Sequence, residues 1–450
     1  MTPPPANSTP AQAESEDFQW YRAAPSLPEV FRSIAVPAVA GRFWRKMGAF
    51  AGPGYLIAVG YVDPGNWATD LAGGAKYGYA LLSVIVLSNF LAIFLQTLSL
   101  RLGIASGRDL AQLCRDRFSL PIAVGLWISC ELAIIACDLA EVIGAAIALE
   151  LLFGMPLILG VLLTALDVFL VLWLQGRGFR YVEALVITLL CIIGGCFAVE
   201  LTMAQPQLRE IAASVLPSRR IITNPGMLYL AIGILGATVM PHNLYLHSSI
   251  VQSRGFAPTE RGKGEAIRFC TIDTVTALIA AMLINAAILI LAATINRAGY
   301  TEMSEIQDAY RLLTPLLGGL ASLLFGVALL VSGQMSALTG TLAGQIIMEG
   351  FLRWRVSPVM RRLATRALAL LPAVGIIAVF GEGATGPLLV LSQVVLSLQL
   401  SFAVVPLIMF TSDSKLMGKF VNPRWMQAVG SSVAVGVTVI NGWLVWQVIF

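Results

Sequence analysis

The sequence predicts an all-α polytopic membrane protein, and three observations predict it. Of its 450 residues 57% are hydrophobic and only 12% charged, about half the ~25% charge content of a soluble domain. The apolar residues come in long runs: Ala80–Leu100 carries no charge, and about 20 such residues cross a bilayer as a helix. The runs are also continuous, whereas a porin-type barrel alternates in short segments.

Eleven spans follow from these runs. They lie near 48–77, 80–103, 121–152, 156–174, 180–202, 227–254, 267–295, 312–350, 362–380, 386–410 and 426–449. The eighth is long enough to include a helical extension. With the N-terminus in the cytoplasm, about 23 of the 29 Lys and Arg fall on the cytoplasmic side and about 6 on the other. That is the positive-inside bias, and it leaves the C-terminus outside. Residues 1–45 are rich in Pro, Ala and Ser and lack the apolar region of a signal peptide. They read as a disordered cytoplasmic tail. Short tails without sorting segments suggest a bacterial inner (plasma) membrane.

The net charge of +4 is spread over short loops, so no nucleic-acid partner is expected, nor an obligatory protein partner. The six cysteines show no CxxC spacing and read as small buried hydrophobes rather than a disulfide framework. No zinc-protease, Gly-x-Ser-x-Gly or phosphate-loop motif is present, so the chain is not read as an enzyme, and no cofactor is expected.

Two short motifs organise the chain. Span 1 carries Asp63-Pro64-Gly65-Asn66 and span 6 carries Met240-Pro241-His242-Asn243. Both read x-Pro-x-Asn in mid-span, five spans apart. An odd number of spans inverts the second copy, the pattern of an inverted-repeat transporter whose broken helices meet at the midplane. The units are then 46–203 (spans 1–5), 204–412 (spans 6–10) and 413–450 (span 11).

The breaks suggest an ion site. Proline removes a backbone donor, Gly65 and the asparagines tolerate irregular backbone, and carbonyls freed in hydrocarbon need a partner. Asp63 supplies a carboxylate, Asn66 an amide oxygen and Met240 a thioether. The carbonyls of Gly60 and Ala237, one turn before each break, can face the same point. Mg²⁺ and Ca²⁺ favour all-oxygen shells, while sulfur favours Mn²⁺, Fe²⁺, Co²⁺ or Cd²⁺.

Span 3 places Glu131, Asp138 and Glu141 on one helix face. Such acids line a polar route for protons or pair with Arg361, Arg362 and Arg366 at the start of span 9, and the two readings are compatible. The two histidines, His242 and His247, lie five residues apart in span 6. Histidine titrates near neutral pH, so a proton or structural role is expected for His242, and His247 could continue the route. Asp167, Glu183 and Asp273 are weaker candidates.

At these motifs the chain resembles the natural resistance-associated macrophage protein (Nramp) family of proton-coupled divalent metal transporters, from about residue 48 to 410. Gly107-Arg108-Asp109-Leu110-Ala111-Gln112 and the stretch from Gly333-Gln334 to Gly350-Phe351 add to the resemblance. It implies a leucine-transporter type of fold with 5+5 inverted repeats and broken helices 1 and 6. It implies metal ligation by Asp63, Asn66, Met240 and the Ala237 carbonyl, joined by Gln393 of span 10, with Gln399 as a rival. Gly60 stands where the family has alanine, and Met335 and Ala337 depart from the small polar residues usual there. The methionine at 240 speaks against the magnesium-transporting branch. The expected function is import of Mn²⁺ or Fe²⁺, also Co²⁺ or Cd²⁺, by alternating access with proton symport. A sodium-coupled carrier of an organic solute on the same fold, or an uncoupled metal channel, are the alternatives.

Overall fold

The computed structural model describes residues 25–37, 43–166, 178–297, 305–354 and 356–449, with the side chain of Arg362 outside that description. Almost all of it is helix. In chain order the principal helices are α1 (Phe43–Phe50), α2 (Pro53–Gly60), α3 (Pro64–Tyr77), α4 (Leu82–Ser106) and α5 (Leu110–Arg117). Then come α6 (Leu120–Phe153), α7 (Leu157–Leu163), α8 (Phe179–Ala204), α9 (Pro225–Val239) and α10 (Pro241–Ile250). The rest are α11 (Glu260–Arg297), α12 (Ile306–Leu317), α13 (Gly319–Leu352), α14 (Pro358–Phe380), α15 (Thr385–Thr411) and α16 (Arg424–Ile449).

Among the described residues, eight helical stretches are long and apolar enough to cross a membrane. One of them joins α3 and α4 through a single 3₁₀ turn over Pro64–Ser106. Large apolar side chains such as Leu87, Phe90, Leu283, Phe402 and Met409 stand exposed, as the lipid-facing side of a bundle requires. The fourth expected span is described only as α7 and the turn Thr164–Leu166; its remainder, with Asp167, lies outside the described residues.

The two mid-span breaks are real features of the backbone. Span 1 is divided into α2 and α3 by residues 61–63, and span 6 into α9 and α10 by Met240 alone. Each second half starts on a proline at its first turn, where the missing N–H costs nothing. Met240 takes a φ of 35°, a left-handed conformation that non-glycine residues seldom adopt. Such strain persists only where packing over-determines it, and Met240 is fully buried.

Two expectations change at helix ends. The extension foreseen at the start of span 8 is a separate helix: α12 ends at Leu317, and Gly318, at φ 93°, turns the chain into α13. A capping box at Glu305 starts it. Within the tail expected to be disordered, residues 25–37 lie against the body. Ser26 Oγ donates to Asp109 Oδ2 at 2.5 Å, Leu27 is buried, and Arg32 N donates to the Gln252 carbonyl at 3.0 Å. Ile34–Ala35 then pair in parallel with Arg254–Gly255 after α10. Backbone bonds, the Ser26–Asp109 hydrogen bond and one buried leucine hold this stretch, so no apolar run announces it.

Packing centres on the broken helices. α3 lies along α11, α9 along α15, and α6 between α13 and α15. Trp67 of α3 is fully buried between Phe197 of α8 and Phe325 of α13, with ring centroids 5.0 and 5.1 Å away. Such aromatic contacts add about 1 kcal/mol each beyond area burial, and they fix α3 one turn beyond the break.

Candidate functional site

The sequence at the breaks orphans two particular carbonyls. In an α-helix the carbonyl of residue i accepts from the N–H of residue i+4. For Gly60 that residue is Pro64, and for Ala237 it is Pro241. Neither proline has an N–H, so each break leaves one carbonyl needing a partner inside the bundle.

Both find the same one. Asn66 Nδ2 lies 3.1 Å from the Ala237 carbonyl, 3.5 Å from the Gly60 carbonyl and 2.7 Å from Asp63 Oδ1. Three acceptors from two broken helices converge on one nitrogen. Asp63 also caps α3, its Oδ1 accepting from the Asn66 backbone N–H at 2.7 Å. Asn66 Oδ1 accepts from Asn285 Nδ2 at 3.4 Å, and Asn285 Nδ2 also donates to the Tyr61 carbonyl at 2.7 Å. Asp63, Asn66 and Asn285 are all buried.

Sulfur sits beside this point. A Cβ built on Gly60 would lie 3.1 Å from Met240 Sδ, and that sulfur accepts only a long contact, 3.5 Å, from Asn243 Nδ2. A Cβ on Gly65 would collide with the Gln393 amide, so Gln393 of α15 lies directly over the break. It is fully buried and its Oε1 has no hydrogen-bond partner among the described residues. The rival Gln399 donates to Cys130 Sγ at 3.2 Å instead. Asp63, Asn66, Gly60, Ala237, Met240 and Gln393 are therefore one constellation: a carboxylate, two amides, two carbonyls and a thioether. It holds no cluster of three or more His, Cys, Asp or Glu, and none occurs among the described residues.

The acids of α6 form a second layer against α13 and α14. Glu141 Oε1 accepts from Ser336 Oγ at 2.6 Å, and its Oε2 lies 3.7 Å from Arg366 Nη1. Glu131, nearer the helix start, pairs with Arg361 at 3.2 Å and accepts from Trp127 Nε1 at 3.1 Å. Asp138 is fully buried. The ion pairs expected of this stripe are present for Glu131 and Glu141.

The two histidines part company. His242 is buried in the first turn of α10, with Nδ1 lacking a hydrogen-bond partner among the described residues, and close enough to Asp138 for their charges to interact. His247 is locked elsewhere: Nδ1 is 2.9 Å from Gln96 Oε1 and Nε2 is 3.4 Å from Thr274 Oγ1. Gln96 in turn donates to Tyr61 Oη at 3.0 Å. This network joins α4, α10 and α11 and reaches the first break through Tyr61.

Three participants carry no signature in the sequence motifs. Asn285 and Tyr61 belong to none of them. Cys137 reads as a small hydrophobe, yet it lies 3.9 Å from Asp63 Oδ2 and 3.8 Å from Glu141 Oε1. Its place four residues before Glu141 on the acid stripe is the signal that could have found it. Of the weaker acids, Glu183 pairs with Arg254 at 2.6 Å. Asp273 accepts from the N–H groups of Gly52 and Gly54 at 3.1 and 2.7 Å. Both hold the entry to α2 and lie away from the constellation.

A family model described as natural resistance-associated macrophage protein-like matches residues 54–447. A divalent metal cation transporter of Nostoc sp. is 60% identical over 425 residues, covering 94% of this chain and 96% of the relative. One of Listeria welshimeri is 59% identical over 442 residues, covering 97% and 98%. Among solved structures, the Eremococcus coleocola manganese transporter in complex with an aromatic bis-isothiourea compound superposes with a TM-score of 0.85. It is 41% identical, over 93% of this chain and 90% of that one. The nucleobase-cation-symport-1 transporter Mhp1 superposes at 0.57 with 15% identity, over 88% and 93%, a likeness of fold alone.

Proposed function

The chain belongs to the natural resistance-associated macrophage protein family, and from that premise we propose that it imports divalent transition-metal ions, Mn²⁺ and Fe²⁺ first and also Co²⁺ and Cd²⁺, with protons. The observation that carries this reading is the convergence of Asp63 Oδ1 and the Gly60 and Ala237 carbonyls on Asn66 Nδ2, with Met240 sulfur alongside. The amide NH₂ stands where a cation satisfies the same three acceptors. On binding, Asn66 turns its Oδ1 to the ion, and Met240 contributes the soft contact that disfavours Mg²⁺ and Ca²⁺.

In this reading eleven spans form two inverted repeats of five and a final helix, in a bacterial inner membrane with the N-terminus in the cytoplasm. The ion reaches the midplane from outside, and α2, α3, α9 and α10 rock to open inward. Protons leave the site through His242, Asp138 and Glu141, with Arg366 paired to Glu141 and Arg361 to Glu131. The competing reading is a sodium-coupled carrier of an organic solute on the same fold. A thioether beside a carboxylate, with no group of free hydroxyls at the breaks, favours the metal.

The test is Mn²⁺ uptake into proteoliposomes, with lumenal pH followed, against a large excess of Mg²⁺. Saturable uptake that resists Mg²⁺ and acidifies the lumen is expected. Uptake abolished by Mg²⁺, or none, overturns the metal reading; uptake without acidification overturns the coupling.

A further inference from the structure

We propose that Cys137 is a second sulfur of the cation site and biases it toward thiophilic divalent ions such as Cd²⁺. The inference rests on the reading of the constellation as a cation site and concerns which ions it prefers.

The two oxygens of Asp63 have different neighbours. Oδ1 is taken by both nitrogens of Asn66, whereas Oδ2 faces Cys137 Sγ at 3.9 Å. Sulfur and oxygen donors on one tetrahedral Zn²⁺, at about 2.3 Å and about 2.1 Å, stand about 3.6 Å apart, and a larger thiophilic ion sets them somewhat further apart. The observed separation is close to that edge, so an ion held by Oδ2, or by both oxygens, meets the thiol after a small side-chain adjustment. Cys137 also shares one small buried apolar cluster with Met240, Ala133 and Leu396. Cys137 and Met240 therefore share one packed wall beside the first break.

A second observation points to a ligand at this place. Gln393, fully buried over Gly65, holds an Oε1 with no partner among the described residues. An acceptor with nothing to accept from, buried in a bundle, is costly and is satisfied when an ion joins the shell.

On binding the ion the thiol passes its proton to Glu141 Oε1, 3.8 Å away, and the thiolate sulfur coordinates. The S–H bond breaks, an O–H bond forms on Glu141, and the net charge of the pair is unchanged. A serine keeps the hydrogen bond and exchanges the soft donor for a hard one.

Cd²⁺ and Mn²⁺ affinities are measured by titration calorimetry on the purified full-length protein and on the Cys137→Ser and Cys137→Ala variants. We expect the ratio of Cd²⁺ to Mn²⁺ affinity to fall about tenfold in both variants. Equal losses for the two ions mean that Cys137 is only packing, and an unchanged Cd²⁺-to-Mn²⁺ ratio overturns the proposal. If Cys137→Ser does not fold, Cys137→Ala carries the ratio. Failure of the parent protein to bind Mn²⁺ at all would overturn the underlying site instead, so the two failures are distinguishable.

Discussion

Asn66 and Asp63 hold each other across the first break: the backbone and side-chain nitrogens of Asn66 both lie 2.7 Å from Asp63 Oδ1. One oxygen thus caps α3 and anchors the amide that bridges to α9. The same two residues are proposed to take up the ion, so binding has to exchange this internal arrangement for metal contacts.

Asn66→Ala removes the bridge and one ligand but leaves the carboxylate. Losing a charge-assisted contact costs on the order of 1.5–3 kcal/mol. The Mn²⁺ dissociation constant should therefore rise about 10- to 100-fold. Asp63→Ala should leave no saturable Mn²⁺ uptake in proteoliposomes; uptake at the parent rate would remove Asp63 from the site.

Met240→Ala tests the soft contact separately. Mn²⁺ uptake should persist in part, because the oxygen donors remain. Ca²⁺ and Mg²⁺ in excess should now compete, where they do not in the parent. A competition assay that still excludes both ions would show that oxygen geometry alone sets the preference.

Gly60→Ala probes the close packing at the first break. The added Cβ lies 2.5 Å from Asn243 Nδ2 and 3.1 Å from Met240 Sδ. Both are ends of flexible side chains, so both shift and the fold survives, at a cost of about 1 kcal/mol. The expected effect is a several-fold change in KM for Mn²⁺ with a nearly constant maximal rate.

Asp109, before α5, tests the junction with the N-terminal segment. Burial pushes its carboxyl up to about 6 from the usual 3.8, against the opposing hydrogen bonds from Ser26 and Gln112. A pKa raised on folding contributes stability that is complete below about pH 4 and is lost as pH rises through about 6. Asp109→Asn keeps an acceptor for the Gln112 N–H and removes the titration. Melting curves of the parent should show a stability decline of up to about 3 kcal/mol between pH 4 and 6 that the variant lacks. Parallel pH profiles for the two proteins would contradict this.

Much of the site is legible in the amino-acid sequence. Pro64 and Pro241 mark the breaks through a backbone rule, and the helix period alone puts Glu131, Asp138 and Glu141 on one stripe. Sequence does not separate Gln393 from Gln399, because both are buried polar residues on one span. Contact with Gly65 on one side and Cys130 on the other separates them. His247 reads as a continuation of His242, but five residues turn a helix about 140° beyond a full circle, and that turn carries it to Gln96 and Thr274.

The sequence by itself determined the helical membrane class, the places where two helices must break and the chemical kinds of donor at each break. These follow from local properties: hydropathy over about 20 residues, the missing proline N–H and side-chain type. Only the tertiary structure decided that the Gly60 and Ala237 carbonyls share one partner, that Cys137 stands between Asp63 and Glu141, and that residues 25–37 lie against the body. Those relations join residues far apart in the chain, as Ile34 and Arg254 are. They depend on which helix faces pack together, which no local pattern encodes.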